Sequence, residues 1–145
     1  MRSWLARKTL THNLTRLNAG DPRPTLRLDA RDVRFRFPGD SSWATELQGK
    51  ADLERWLRRF VDAGLQIFAD EVVATGPPWN MTLCVRGHVY LRSPEGSAVY
   101  ENRYVIWGHM AWGLLRDYEV YEDTQKTKAL DEYLGTRTGD TRLVP

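Results

Sequence analysis

The sequence predicts an α+β fold, and three observations carry that reading. Apolar residues recur at helical spacing from Leu53 to Val61, while Val33, Phe35 and Phe37 alternate as in a half-buried strand. Between Met81 and Tyr121 the chain reads as an antiparallel meander of three alternating segments. Helices and one strand come first and the meander second, the order of an α+β chain.

Each element has its own signals. Leu10, Leu14 and Leu17 mark an amphipathic N-terminal helix, with Ser3 as its cap and Gly20 as its stop. Pro22 and Pro24 then break the chain. The strand at Asp32–Phe37 ends on Pro38-Gly39, and a polar loop from Asp40 to Gln48 carries Trp43. Leu53, Trp56, Leu57, Phe60 and Val61 form the apolar stripe of a helix from about Lys50 to Ala63, closed by Gly64. Arg55, Arg58 and Arg59 lie off that stripe, and a solvated helix face accounts for them better than a phosphate site. Leu65–Thr75 reads as a further strand, followed by a Gly76-Pro77-Pro78 turn. Three strands then run over about Met81–Arg92, Ala98–Trp107 and Gly113–Tyr121. A closing helix spans Thr124–Leu134, with Asp123 or Thr124 as its cap. The chain is read as one domain over residues 1–135 with a loose tail over 136–145.

A chain of 145 residues with 41% hydrophobic and 28% charged residues is an ordinary globular composition. A net charge of +2 gives no argument for nucleic-acid or membrane binding. The single cysteine, Cys84, precludes an internal disulfide, and no apolar run has signal-peptide or membrane-spanning length, so a cytoplasmic location is expected. His12, His88 and His109 are scattered, so no metal site is expected, and no cofactor-binding motif is present. The 6 Trp and 6 Tyr favour an aromatic-lined cavity or interface.

Candidate site residues follow from strand register. A hairpin loop Ser93–Gly96 pairs Arg92 with Ser97, hence Gly87 with Asn102 and His88 with Glu101. A second loop, Gly108–Ala111, sets Asn102 opposite Asp117, Tyr104 opposite Leu115 and Tyr100 opposite Glu119. Asp117 and Glu119 then fall on the more apolar face, which meets the helices. A carboxylate there has a raised pKa and can move a proton, with Asn102 and Tyr104 as hydrogen-bonding support. The alternative is a cross-strand polar pair at a wet rim, and a slip of one residue sends Asp117 outward. Tyr100, Glu119, Trp43, Trp56 and Phe37 complete the expected lining of the pocket, although Trp56 also suits the core. His88 with Glu101 is either a dyad or, on the outer face, an interface or surface pair.

Several segments resemble a known family. Asp32-Val-Arg-Phe-Arg-Phe-Pro-Gly, followed by Leu47-Gln48-Gly49-Lys50 opening a helix, looks like the first half of SnoaL-like proteins. Those belong to the superfamily of nuclear transport factor 2 and ketosteroid isomerase. Tyr100-Glu101-Asn102-Arg103-Tyr104, Trp112-Gly113 and Val120-Tyr121-Glu122-Asp123-Thr124 are similar to its second half, so the likeness runs from about Leu5 to Leu134. It implies a curved, mixed or antiparallel sheet wrapped round helices as a cone (a cystatin-like α+β barrel) with an internal apolar pocket, commonly as a homodimer. It also implies cofactor-free acid/base chemistry: isomerisation, cyclisation, dehydration or epoxide opening on an apolar substrate such as a polyketide or terpenoid. The isomerases carry their base where this chain has Phe37, and the arginine between two aspartates of limonene-epoxide-type hydrolases is not evident. Asp117 is therefore the expected proton carrier. The expected partners are a small apolar ligand and a second copy through the outer sheet face. The rival reading is a non-catalytic binding or assembly domain of the same fold.

Overall fold

The computed structural model describes residues 2–138. Helix α1 (Arg2–Asn18) leads into a short α2 (Arg23–Leu28), then strands β1 (Asp29–Phe37) and β2 (Thr45–Gln48) and helix α3 (Lys50–Asp62). Strands β3 (Gln66–Thr75), β4 (Met81–Arg92), β5 (Ala98–Ala111) and β6 (Leu114–Glu122) follow, and α4 (Thr124–Thr138) closes the chain. The expected tail lies partly in α4, which continues through 138, while 139–145 lie outside the described residues. Among the described residues no helix is long and apolar enough to cross a membrane.

The strands form one six-stranded sheet in the order β2-β1-β6-β5-β4-β3. β1 runs parallel to β6, and the other pairs are antiparallel. Ladder irregularities at Asp70, Val99 and Arg116 bend the sheet, as an unpaired residue does. Its concave face meets the helices over one core that includes Leu14, Leu53, Leu57, Val85, Tyr104 and Leu130.

Two elements differ from the sequence reading. Residues 23–28 are helical, because Pro22 and Pro24 sit at the start of α2, where a missing N–H costs nothing. Thr45–Gln48 pairs with β1 as a short strand, although its four residues carry little apolar signal.

Helix α1 is fastened to the edge strand at both ends. Ser3 Oγ accepts the Ala74 N–H at 2.9 Å and donates to the Ala74 carbonyl at 3.3 Å. Asn18 mimics a strand partner at Ile67, accepting its N–H and donating to its carbonyl, both at 2.9 Å. At the far end, Asp123 Oδ1 accepts the Gln125 N–H at 3.0 Å and so caps α4.

The β5–β6 register corrects the sequence reading. The turn is Trp112-Gly113, with φ of 54° and 80°, a pair of left-handed residues that matches the twist of a tight hairpin. Moving the turn alone leaves Asp117 on the inner face. The unpaired Arg116 then flips it: Met110 pairs with Leu115, but His109 pairs with Asp117 and Gly108 with Tyr118. Tyr118, Val120 and Glu122 consequently point inward, while Asp117 and Glu119 point outward. In the β4–β5 hairpin the Ser93–Gly96 turn forms as expected. The ladder beyond Val99 is displaced by two residues, so Val89 faces Asn102, Gly87 faces Tyr104 and His88 faces Arg103 rather than Glu101. A shift of two keeps every residue on its predicted face.

Candidate functional site: an apolar cavity with a buried acid

The concave face and the helices line a cavity of about 110 Å³. Its wall is largely aromatic and aliphatic. Trp56 of α3 is the hub, with ring centroids 4.8 Å from Phe35, 5.4 Å from Phe37, 5.8 Å from Trp43 and 6.1 Å from Phe60. Phe35 also meets Tyr118 at 5.0 Å, across the parallel β1–β6 pair. Alternation along β1 delivers Phe35 and Phe37 to this wall, and the α3 stripe delivers Trp56, Leu57 and Phe60.

Polar groups in the wall are few. Asp29 stands at the junction of α2 and β1, where its N–H bonds the Leu26 carbonyl and ends the helix. Its side chain lines the cavity at 1% exposure, and Oδ2 has no hydrogen-bond partner among the described residues. Burial pushes its pKa up to about 7, against the opposing pull of the Lys50 charge. Thr25 Oγ1, one helical turn earlier, is likewise buried and unpartnered. Beside Asp29, burial and its charge hold the Tyr118 hydroxyl well above the usual phenol range.

A second polar cluster lies where β6 meets α4. Glu122 Oε1 accepts hydrogen bonds from Tyr100 Oη at 3.1 Å and Thr127 Oγ1 at 2.6 Å. Burial raises the Glu122 pKa, an effect that outweighs these two bonds.

The candidates from the sequence divide into three groups. Phe37, Trp43, Trp56, Tyr100 and Tyr104 all line the cavity. Tyr104 Oη donates to the Phe68 carbonyl at 3.0 Å, so its hydroxyl is committed to the edge strand. Asn102 is buried but acts as a brace: Nδ2 donates to Tyr100 Oη and the Asp123 carbonyl, each at 3.0 Å, and Oδ1 accepts the Arg103 N–H at 2.9 Å. Asp117 and Glu119 lie on the outer face, contrary to expectation. Asp117 Oδ1 is 2.9 Å from His109 Nδ1, and Glu119 meets Tyr121 and, at 3.8 Å, Arg36. His88 pairs with Asp70 at 2.8 Å, not with Glu101. Arg59 is not solvated either: its guanidinium lies 4.0 Å over the Trp43 ring and donates to the Ser42 carbonyl at 2.8 Å.

Sequence reasoning missed Asp29, Glu122, Thr25 and Tyr118. For Asp29 a faint signal existed, since it shares odd parity with Val33, Phe35 and Phe37. Arg31 interrupts that pattern, and the β1–β6 ladder shifts between Asp29 and Arg34. Among the described residues no group of His, Cys, Asp and Glu is arranged to hold a metal ion.

Comparison with known structures gives the class of protein. The chain has the NTF2-like fold, a curved sheet around helices. An NTF2-like protein of unknown function from Burkholderia pseudomallei superposes with a TM-score of 0.70 at 18% identity, over 85% of this chain and 94% of that one. TerC, co-crystallised with polyporic acid, gives 0.69 at 18% identity, covering 85% and 95%. An isomerase candidate from Rhodopseudomonas palustris gives 0.63 at 15% identity, covering 88% and 94%. No family model matches the chain, and no curated protein sequence does.

Proposed function

We propose that the cavity binds a small, largely apolar molecule and that Asp29 moves a proton on it without a cofactor. The observation that carries this reading is a carboxyl at 1% exposure in the wall of an apolar hollow, with one oxygen lacking a hydrogen-bond partner among the described residues and a pKa raised to about 7. A general base works best when its pKa lies near the working pH. Ionised Asp29 takes a proton from an acidic C–H or O–H of the guest and, as the acid so formed, returns it to another atom. Isomerisation, dehydration and cyclisation all need that step. Asp29 thus replaces Asp117 as the proton carrier.

The second reading, a binding module without turnover, is favoured by Tyr100, Asn102 and Tyr104, whose polar atoms are already engaged inside the chain. Uptake of solvent deuterium into the α-positions of small cyclic ketones separates the two. The catalytic reading expects native protein to accelerate uptake and Asp29→Asn to lose it by about 100-fold or more. Ligand-induced thermal stabilisation with no uptake above background supports the binding module.

We also propose a second copy of the chain as partner. Val73, Val105, Trp107 and Tyr121 expose apolar surface on the outer face of neighbouring strands, in register across Cys84 and the β5–β6 pair.

A further inference from the structure

The cavity and the outer apolar row account for three of the six tryptophans, Trp43, Trp56 and Trp107. The other three, Trp4, Trp79 and Trp112, are 63%, 60% and 70% exposed, and the fold gathers them at one end of the molecule. Leu115, Met110 and Met81 form a row across the sheet there, with the β5–β6 and β3–β4 turns just beyond it. The two turns touch. The Trp112 N–H donates to the Pro78 carbonyl at 2.7 Å, and the Trp79 and Trp112 rings stand 6.1 Å apart. Helix α1 starts at the same end, since Ser3 is bonded to Ala74 of β3 and Trp4 is the next residue. Leu5 and Leu114 add further exposed apolar surface.

Backbone and charge both set this end apart from a chance exposed patch. Trp112 holds a φ of 54°, in the left-handed region that bulky side chains disfavour. Asn or Gly makes such a turn with less strain, so folding alone does not select an aromatic there. The Trp79 turn is stiff, built on Pro77-Pro78 and closed by the Asn80 N–H on the Pro77 carbonyl at 2.9 Å. Residues 2–12, 72–83 and 108–116, which build this end, include no acidic residue. Exposed Arg7 and Lys8 follow Trp4 in α1, and Lys8 Nζ lies 5.3 Å from the centre of the Trp4 ring. The neighbouring carboxylates are already matched, Asp32 to Arg116 at 3.8 Å and Asp117 to His109 at 2.9 Å. A net charge of +2 averages over this segregation.

We infer that this end docks on an anionic lipid surface, with Trp4, Trp79 and Trp112 seated among the headgroups and Arg7 and Lys8 drawn to the lipid phosphates. Tryptophan suits that depth, because its ring is apolar and its one N–H still reaches a polar layer. Cations beside an anionic leaflet add to the attraction. Two hairpin turns and a helix start make a set of tips, which a deformable lipid surface takes up, whereas a protein partner fits a broad continuous face. The docking is peripheral, since among the described residues no helix is long and apolar enough to cross.

Flotation of the full chain with lipid vesicles tests this. The native protein is expected to float with vesicles of phosphatidylcholine and phosphatidylglycerol in equal parts, and to bind phosphatidylcholine alone about tenfold more weakly. Trp112→Asn keeps a residue suited to the left-handed turn and should lower binding by about tenfold. Trp79→Ser should do the same, and it keeps the test decisive if Trp112→Asn does not fold. Arg7→Glu combined with Lys8→Glu should abolish the preference for anionic vesicles. Native protein left behind by the anionic vesicles, equal binding to both vesicle types, or undiminished binding by the tryptophan variants each overturns the inference. So does a native dimer that Trp112→Asn turns into a monomer in sedimentation, because a second copy then covers this end. None of these readouts involves the cavity, so they stand whether or not Asp29 moves a proton.

Discussion

Gly87 and Tyr104 face each other across β4 and β5, so closely that a Cβ on Gly87 would stand 2.6 Å from the Tyr104 hydroxyl oxygen and 2.0 Å from the Phe68 carbonyl oxygen. The missing side chain opens the passage through which the Tyr104 hydroxyl reaches Phe68. Gly87→Ala must displace strand backbone as well as the phenol, so it should destabilise the fold by about 3 kcal/mol. Urea unfolding of the variant measures this, and a change within 0.5 kcal/mol would show that the strand yields freely.

Asp29 gives a pH signature with opposite signs for stability and turnover. Its carboxyl holds a proton more tightly in the folded chain, at about 7, than at the usual 3.8 of an unfolded chain. Its contribution is therefore complete below about pH 4 and is lost as pH rises through 7, a span worth about 4 kcal/mol as an order of magnitude. Asp29→Asn removes that dependence, while the same-signed effect of Glu122 remains in both proteins. The variant should be more stable than the native protein at pH 8 and nearly matched to it at pH 4. Proton transfer needs the ionised base, so native turnover should climb through pH 7. Parallel stability curves for the two proteins would remove Asp29 from the account.

Asp117 and Asn102 should behave oppositely to their ranking by sequence. The Asp117–His109 pair is half exposed, so Asp117→Asn should change stability by less than about 0.5 kcal/mol and leave proton transfer untouched. Asn102→Ala strips bonds from the Asp123 carbonyl and Tyr100 hydroxyl inside the protein, at a cost of about 2 kcal/mol in unfolding experiments. A large loss of turnover in Asp117→Asn with the fold intact would restore the outer pair to consideration.

A second copy on the outer face makes its own prediction. Val105→Glu combined with Trp107→Glu places charge on an exposed apolar row without touching the cavity. Sedimentation should show a dimer for the native chain and a monomer for the double variant. A native chain that sediments as a monomer would eliminate the second copy as partner.

The legible parts of the fold were those written in period. The α3 stripe, the β1 alternation and the Ser93–Gly96 turn all form where the pattern places them. The cavity wall was legible for the same reason, since Phe37 and Trp56 belong to those patterns. The polar core of the site was not, because it depends on single-residue irregularities. One unpaired residue, Arg116, exchanges Asp117 for Tyr118 on the inner face, and no feature of Leu114-Leu115-Arg116-Asp117 announces it. Asp29 was hidden similarly, behind the ladder shift that lets Arg31 face water while Asp29 is buried. Arg59 was misread because its partner, the Trp43 turn, is remote in sequence.

The fastening of α1 along β3 bears on how copies of this chain can associate. With Ser3 and Asn18 occupying main-chain groups at Ala74 and Ile67, that margin of the sheet offers no free ladder there to a recruit. β2, at the opposite margin, is only four residues long, and three of them, Thr45, Glu46 and Gln48, are polar. Growth by adding strands, the route to fibrils, is thereby discouraged at both borders, and stacking of one broad face on another remains the open geometry.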